Sequence, residues 1–168
     1  MKITLSTLED VDAIFAIYDA ATAYQKTVNT KGWNGFERAL IEQEINENRH
    51  FKIIENTEIA CTFVITFNDP IIWINSENDK AIYLHRIATH PNYRGRGYIT
   101  KIVEWTITYA KKYNLDYIRM DTHSGNDRLN KHYINSGFTY KGISSIQWTN
   151  DLPEHYKKGP FSLFEIKL

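Results

Sequence analysis

Hydrophobic and polar positions alternate in the opening segment "KITLS", which predicts a short strand. Thr7 stands three residues before Asp10, a variant of the capping box in which a hydroxyl satisfies an orphan amide at a helix start. The apolar period then changes. Val11, Ile14, Phe15 and Tyr18 recur at helical spacing and predict a helix that buries one face. A second helix is expected from near Asn34, burying Leu40, Ile41 and Ile45. Between the two, "YQKTVNTKGWNGF" is polar, carries glycine and Trp33, and predicts an irregular segment. "HFKIIEN" and "EIACTFVITF" predict two strands joined at Asn56–Thr57 as an antiparallel pair. "NDPIIWINSENDK" predicts a loop or an edge excursion, and "AIYLHRIATH" the next strand.

"ITKIVEWTITYAKKYN" sets propensity against spacing. Its β-branched residues favour a strand, but Ile99, Ile102, Val103, Ile107 and Ala110 fall on one helical stripe. Lys111 and Lys112 complement a helix C-terminus, so the segment is read as a helix. "YIRMDT" predicts a strand. A capping-box variant from Ser124 to Asp127 opens a short helix through Leu129, His132 and Tyr133 that Gly137 stops. "SSIQWT" and "FSLFEIKL" supply late strands; the second alternates Phe161, Leu163 and Glu165 against Ser162, Phe164 and Ile166. The order β-α-α-β-β-β-α-β-α-β-β predicts a mixed α/β (α+β) fold with helices on the faces of a mixed sheet. No repeat, low-complexity tract or interdomain linker interrupts it, and residues 1–168 suit a single domain.

Composition narrows the function classes. With 42% hydrophobic and 24% charged residues, the chain is expected to fold rather than stay disordered. Lysine plus arginine and aspartate plus glutamate both number 20, so nothing drives nonspecific nucleic-acid binding. Cys61 is the only cysteine, which excludes an intrachain disulfide and argues against a thiolate zinc site; no metal is expected. Its place in "IACTFVITF" predicts a packed apolar residue rather than a nucleophile. No apolar run approaches a membrane span of roughly 18 residues, and "MKITLSTLED" lacks a signal peptide's apolar region. A cytoplasmic protein is the expectation.

Against this neutral background, "HPNYRGRGYITK" concentrates Pro91, Gly95 and Gly97 around Arg94 and Arg96, directly before a predicted helix. Amides of such a turn and of the first helical residues have no intrahelical partners, and the helix dipole adds partial positive charge. Glycines admit positive φ and remove Cβ atoms from a ligand's approach. Arginines can pair with phosphates that the amides hold, each charged hydrogen bond contributing roughly 1.5–3 kcal/mol. The kinase-type GxxxxGK[ST] is absent, and a dinucleotide fingerprint begins at Gly95 and Gly97 but has Thr100 in place of its third glycine.

"IATHPNYRGRGYITKIVEW" resembles the acetyl-coenzyme A loop of the GNAT superfamily of N-acetyltransferases, with its pattern [RQ]xxGx[GA] after a strand and a His/Asp-Pro turn. Arg94 and Gly97 match, and Ile99 stands where Gly or Ala is usual. Downstream, "NDRLNKHYINSGF" resembles the family's NxxAxxxYxxxGF element through Asn126, Tyr133, Gly137 and Phe138, with Leu129 in place of Ala. The resemblance implies a GNAT acyl-CoA N-acyltransferase fold, a mixed splayed sheet in which acetyl-CoA's pantetheine lies between "AIYLHRIAT" and "YIRMDT". It implies that the backbone of Ile87, Ala88 and Thr89 bonds the pantetheine amides. The turn of Arg94, Gly95, Arg96, Gly97, Tyr98, Ile99 and Thr100 would hold the pyrophosphate, Asn126 would bond near the pantetheine end, and Tyr133 would sit by the thioester sulfur.

The implied reaction moves an acetyl group from acetyl-CoA directly to a primary amine of a small molecule or peptide. A lysine-like amine, with pKa near 10.4, costs about 4.6 kcal/mol to deprotonate at pH 7. A positioned acid or base contributes roughly 10²–10⁴-fold. Tyr133 is the candidate acid for the leaving thiolate. His85, two residues before the pantetheine-binding stretch, is the candidate base by its neutral-range pKa, with a satisfied strand histidine or a water-mediated base as the alternatives. His123 could face the acceptor or order its loop. Arg119 and Asp121 alternate onto one strand face as an expected ion pair. Trp33 and Trp73 could wall the acceptor cleft or pack on the core. Acceptor choice is expected from segments 19–36 and 68–80. A GNAT-fold regulatory module that binds acetyl-CoA without turnover is the alternative. The acceptor's identity and the choice between monomer and homodimer stay open.

Overall fold

The computed structural model describes residues 1–28, 33–76, 78–144, 146 and 159–168. The elements follow the predicted order: β1 (Lys2–Leu5), α1 (Val11–Thr27), α2 (Arg38–Asn46), β2 (His50–Glu55), β3 (Glu58–Thr66), β4 (Ala81–Thr89), α3 (Tyr98–Lys112), β5 (Tyr117–His123), α4 (Asp127–Asn135), β6 (Thr139–Ser144) and β7 (Phe161–Lys167). They divide into two compact units, one of Met1–Ile65 with His85–Tyr98, the other of Thr66–Leu84 with Ile99–Leu168.

The first unit is an antiparallel sheet in the order β1-β2-β3 with α1 and α2. The Asp10 carboxylate accepts from the Thr7 amide at 2.7 Å and its hydroxyl at 3.0 Å, so the capping pair forms as the spacing predicts. Val11, Ile14, Ile17 and Tyr18 of α1 bury against Ile41 and Ile45 of α2 and Ala88 of β4. The β2–β3 hairpin turns on Asn56 and Thr57 at φ 52° and 67°, the paired left-handed conformation that matches strand twist. Three expectations shift here. The first helix runs on to Thr27, into the stretch expected to be irregular; α2 begins at Arg38 rather than near Asn34; and Leu40 is only partly buried. The added last turn of α1 is largely exposed, Tyr24 included, so the helix runs on without burying a further apolar face.

The second unit is a mixed sheet in the order β4-β5-β7-β6. β4 pairs parallel with β5 from Ala81↔Tyr117 to Leu84↔Met120, and β7 pairs antiparallel with both β5 and β6. α3 buries Ile99, Ile102, Val103 and Ala110 of the predicted stripe and partly buries Ile107, together with Thr106, whose hydroxyl donates to the Ile102 carbonyl at 2.7 Å. Spacing therefore overrides β-propensity in this segment, because one apolar face finds a core. Ile72, Trp73, Ala81, Tyr83 and Phe161 form a second cluster. β6 runs from Thr139 to Ser144, the first residue of the strand expected at "SSIQWT"; residues 145 and 147–149 of that segment are outside the described residues. No helix among the described residues is long and apolar enough to cross a membrane.

Candidate active site

In the first unit, β4 carries His85, Ile87, Ala88 and Thr89 just beyond the end of the β5 ladder at Leu84. Arg86 between them has φ 46°, rare for a non-glycine residue inside a strand and a local kink in β4. Its guanidinium pairs with Glu44 of α2 and lies 5.3 Å from the Phe36 ring. His85 is partly buried, Ala88 is buried, and the Thr89 hydroxyl bonds the Cys61 sulfur at 3.6 Å. Cys61 is fully buried, and burial pushes its thiol up to about 12, so it is a packed residue as expected and not a thiolate nucleophile.

After β4, the His90 Nδ1 accepts from the Asn92 amide, and Pro91–Tyr93 forms one tight turn. Gly95 and Gly97 then take φ 78° and 70°, left-handed conformations that cost a side-chain-bearing residue about 1–2 kcal/mol. A Cβ at either would meet nothing within 4 Å. The glycines are therefore required by backbone conformation and leave open space over the helix start. Arg94 lies along α1, its Nη2 donating to the Ala20 carbonyl at 3.1 Å and its guanidinium 4.4 Å from the Tyr24 ring. Arg96 instead pairs with Glu55 at 2.7 Å. Tyr98 is buried and donates to the same carboxylate at 2.6 Å; burial and then Glu55 raise its pKa. Ile99 is buried while Thr100 is exposed, so the unusual letter of the loop serves the core of α3.

In the second unit, Asn126 caps α4: its Oδ1 accepts from the Leu129 amide at 3.0 Å. The cap is thus Asn126 and not Ser124, because the Asn side chain sits three residues before the amide it satisfies. Tyr133 is partly buried, its ring 5.3 Å from Phe164 and 6.3 Å from Phe138. The His123 ring lies 4.8 Å from Phe161. The expected Arg119–Asp121 ion pair does not form. Arg119 pairs instead with Glu165 at 2.9 Å and Asp79 at 2.6 Å, donates to the Tyr83 hydroxyl, and lies against Trp73 and Tyr117. Trp73 is buried in this cluster, and in the first unit Trp33 packs edge-on against Tyr18 and Phe36, so both meet the core. Residues 29–32 and 77 of the segments expected to set acceptor choice lie outside the described residues.

Asp121 is left with another carboxylate. Carboxylate oxygens of Asp69 and Asp121 lie within 4.8 Å of one another. Asp69 is buried; one oxygen accepts from the Ile72 amide at 3.3 Å and the other has no hydrogen-bond partner among the described residues. Burial lifts Asp69 to about 6, and burial followed by the Asp69 charge lifts Asp121 to about 7. These carboxyls hold a proton close to neutrality. Sequence reasoning missed the pair because Asp69 sits in an irregular segment with no motif.

The family model described as Acetyltransferase (GNAT) family matches residues 15–138. A relative from Bacillus subtilis named uncharacterized N-acetyltransferase YesJ is 21% identical over 145 residues, 82% of this chain and 81% of its own length. A GNAT-family acetyltransferase structure from Listeria monocytogenes superposes with TM-score 0.78 at 21% identity, over 99% of this chain and 94% of that one. A ribosomal-protein-alanine N-acetyltransferase from Brucella melitensis superposes with TM-score 0.70 at 14% identity, over the full length of both chains. Fold, loop and family match agree: the chain belongs to the GNAT family of acetyltransferases and is an N-acetyltransferase.

Proposed function

We propose that the chain transfers an acetyl group from acetyl-CoA directly to a primary amine of a small molecule or peptide, and that residues 1–168 act as one domain, since the chain passes between its two units three times. The observation that carries the reading is the Gly95–Gly97 turn, where two left-handed glycines leave open space at the start of α3. Amides of Gly95, Gly97, Tyr98, Ile99 and Thr100 would bond the pyrophosphate there, with Arg94 adding charge. Ile87, Ala88 and Thr89 would offer backbone groups to the pantetheine, and the Asn126 amide nitrogen would donate near its end while Oδ1 keeps the helix cap.

Acetyl-CoA supplies the activated acyl group as a thioester. A C–N bond forms at its carbonyl carbon as the C–S bond breaks. The Tyr133 hydroxyl would give its proton to the departing thiolate, and its ring is held against Phe164 and Phe138 for that task. His85 would take the amine's proton, directly or through water. Cys61 is buried, which agrees with transfer without an enzyme-bound acyl group.

Free-thiol release over a panel of amines tests the reading, with an alanine-terminated peptide included because of the Brucella melitensis relative's name. Calorimetry with acetyl-CoA accompanies it. Turnover on any primary amine is the expected result. Absence of acetyl-CoA binding would overturn the reading, and binding without turnover would favour the regulatory module.

A further inference from the structure

The two arginines of the loop have different neighbours. Among the described residues, Arg94 meets a backbone carbonyl and a ring face on α1, contacts that bring it no carboxylate. Arg96 is neutralised by Glu55, the last residue of β2, which holds Arg96 Nη1 at 2.7 Å with one oxygen and the Tyr98 hydroxyl at 2.6 Å with the other. Tyr93 completes the frame. Its hydroxyl donates to Glu58 at 2.6 Å and reaches the Glu55 carbonyl at 3.2 Å, while the Arg96 guanidinium lies 4.7 Å from its ring. Glu55 and Glu58 pair across the Asn56–Thr57 turn, so the β2–β3 hairpin grips the loop at residues 93, 96 and 98, on both sides of its two left-handed glycines.

We infer that Glu55 is the positioning residue of the acetyl-CoA loop, with Arg96 its brace and Arg94 the loop's phosphate-facing cation. The inference rests on the proposed acetyl-CoA reading and assigns roles within it. A glycine-bearing loop is floppy unless tied, and its amides hold a pyrophosphate well only if their directions are fixed before binding. Glu55 supplies that fixation from the paired end of β2, opposite Glu58. A carboxylate pointed at a phosphate site would repel the ligand; here the charge is spent on Arg96 and the Tyr98 proton.

The test is a double-mutant cycle on acetyl-CoA affinity, measured by calorimetry on the full chain with E55A, R96A and the pair. If Arg96 acts through Glu55, each single variant weakens binding about five- to thirtyfold, and the double variant is scarcely weaker than either. In turnover, the acetyl-CoA KM rises by more than kcat falls. Melting temperatures move by only a few degrees, because the Arg96–Glu55 pair is half-exposed. R94A weakens binding by the same factor in both backgrounds. Multiplying losses for E55A and R96A would show that Arg96 meets the phosphates itself and overturn the inference while leaving the acetyl-CoA reading intact. A wild-type chain that does not bind acetyl-CoA would overturn that reading instead. Should E55A fail to fold, E55Q, which keeps the side chain's shape and a hydrogen-bonding oxygen, completes the same cycle.

Discussion

Replacing Asp121 by Asn removes one member of the Asp69–Asp121 pair without changing its size. In the folded chain Asp121 titrates at about 7 rather than at 3.8, because burial and the Asp69 carboxylate both disfavour its charge. A raised acid pKa contributes stability that is fully present below the unfolded value and lost as pH rises through the folded value. Between pH 3.8 and about 7 the folded state therefore holds a proton that the unfolded state has released, and stability falls with rising pH. At ~1.36 kcal/mol per pH unit, the loss reaches roughly 1.6 kcal/mol at pH 5 and about 4 kcal/mol at pH 8. Asp121 keeps some solvent contact, so about half of the upper figure is a realistic floor.

Asparagine has no such charge to hold off. Urea denaturation of wild type and D121N should give a stability difference in favour of the variant that widens by about 1–2.5 kcal/mol from pH 5 to pH 8. D69N is the companion: with its neighbour neutral, Asp121 ionises more easily and the wild-type slope above pH 5 flattens. A stability difference that stays constant across this range would refute the account, since it would mean that Asp121 titrates alike in both states.

His50 gives the opposite slope in the other unit. It is fully buried between Ser6 and Tyr18, and burial followed by the Arg86 charge lowers it to about 4, so stability is lost as pH falls from about 6.5 to 4; H50Q should flatten that acid limb in a melting-temperature series, and an unchanged limb would count against it. G97A should cost about 1 kcal/mol, a drop of roughly 2–4 °C, through its φ of 70° alone, yet weaken acetyl-CoA binding tenfold or more by filling the open space; equal affinity would remove the phosphate cradle from that position. Y133F keeps the ring contacts to Phe164 and Phe138, and kcat should fall roughly 10²-fold or more; unchanged kcat would exclude Tyr133 as the acid.

The sequence by itself determined the order of every element, because each announces itself within about fifteen residues: alternation for strands, a stripe for α1 and α3, glycines for the loop. The resemblance to the family's motifs also singled out Arg94, Gly97, Asn126 and Tyr133 as candidates, because motif spacing is a local property. What it misjudged lay at element ends: α1 running to Thr27, α2 starting at Arg38 and Asn126 capping α4 in place of Ser124. Only the tertiary structure decided which charges meet. Arg119 chooses Glu165 and Asp79 over the neighbour two residues along its own strand, since adjacent strands and loops bring carboxylates nearer than the chain does. For the same reason Arg96 finds Glu55, and Asp121 is left beside Asp69. Periodicity is written in neighbouring residues. Charge pairing and proton affinity depend on distance and burial, and those are set by segments that the sequence keeps far apart.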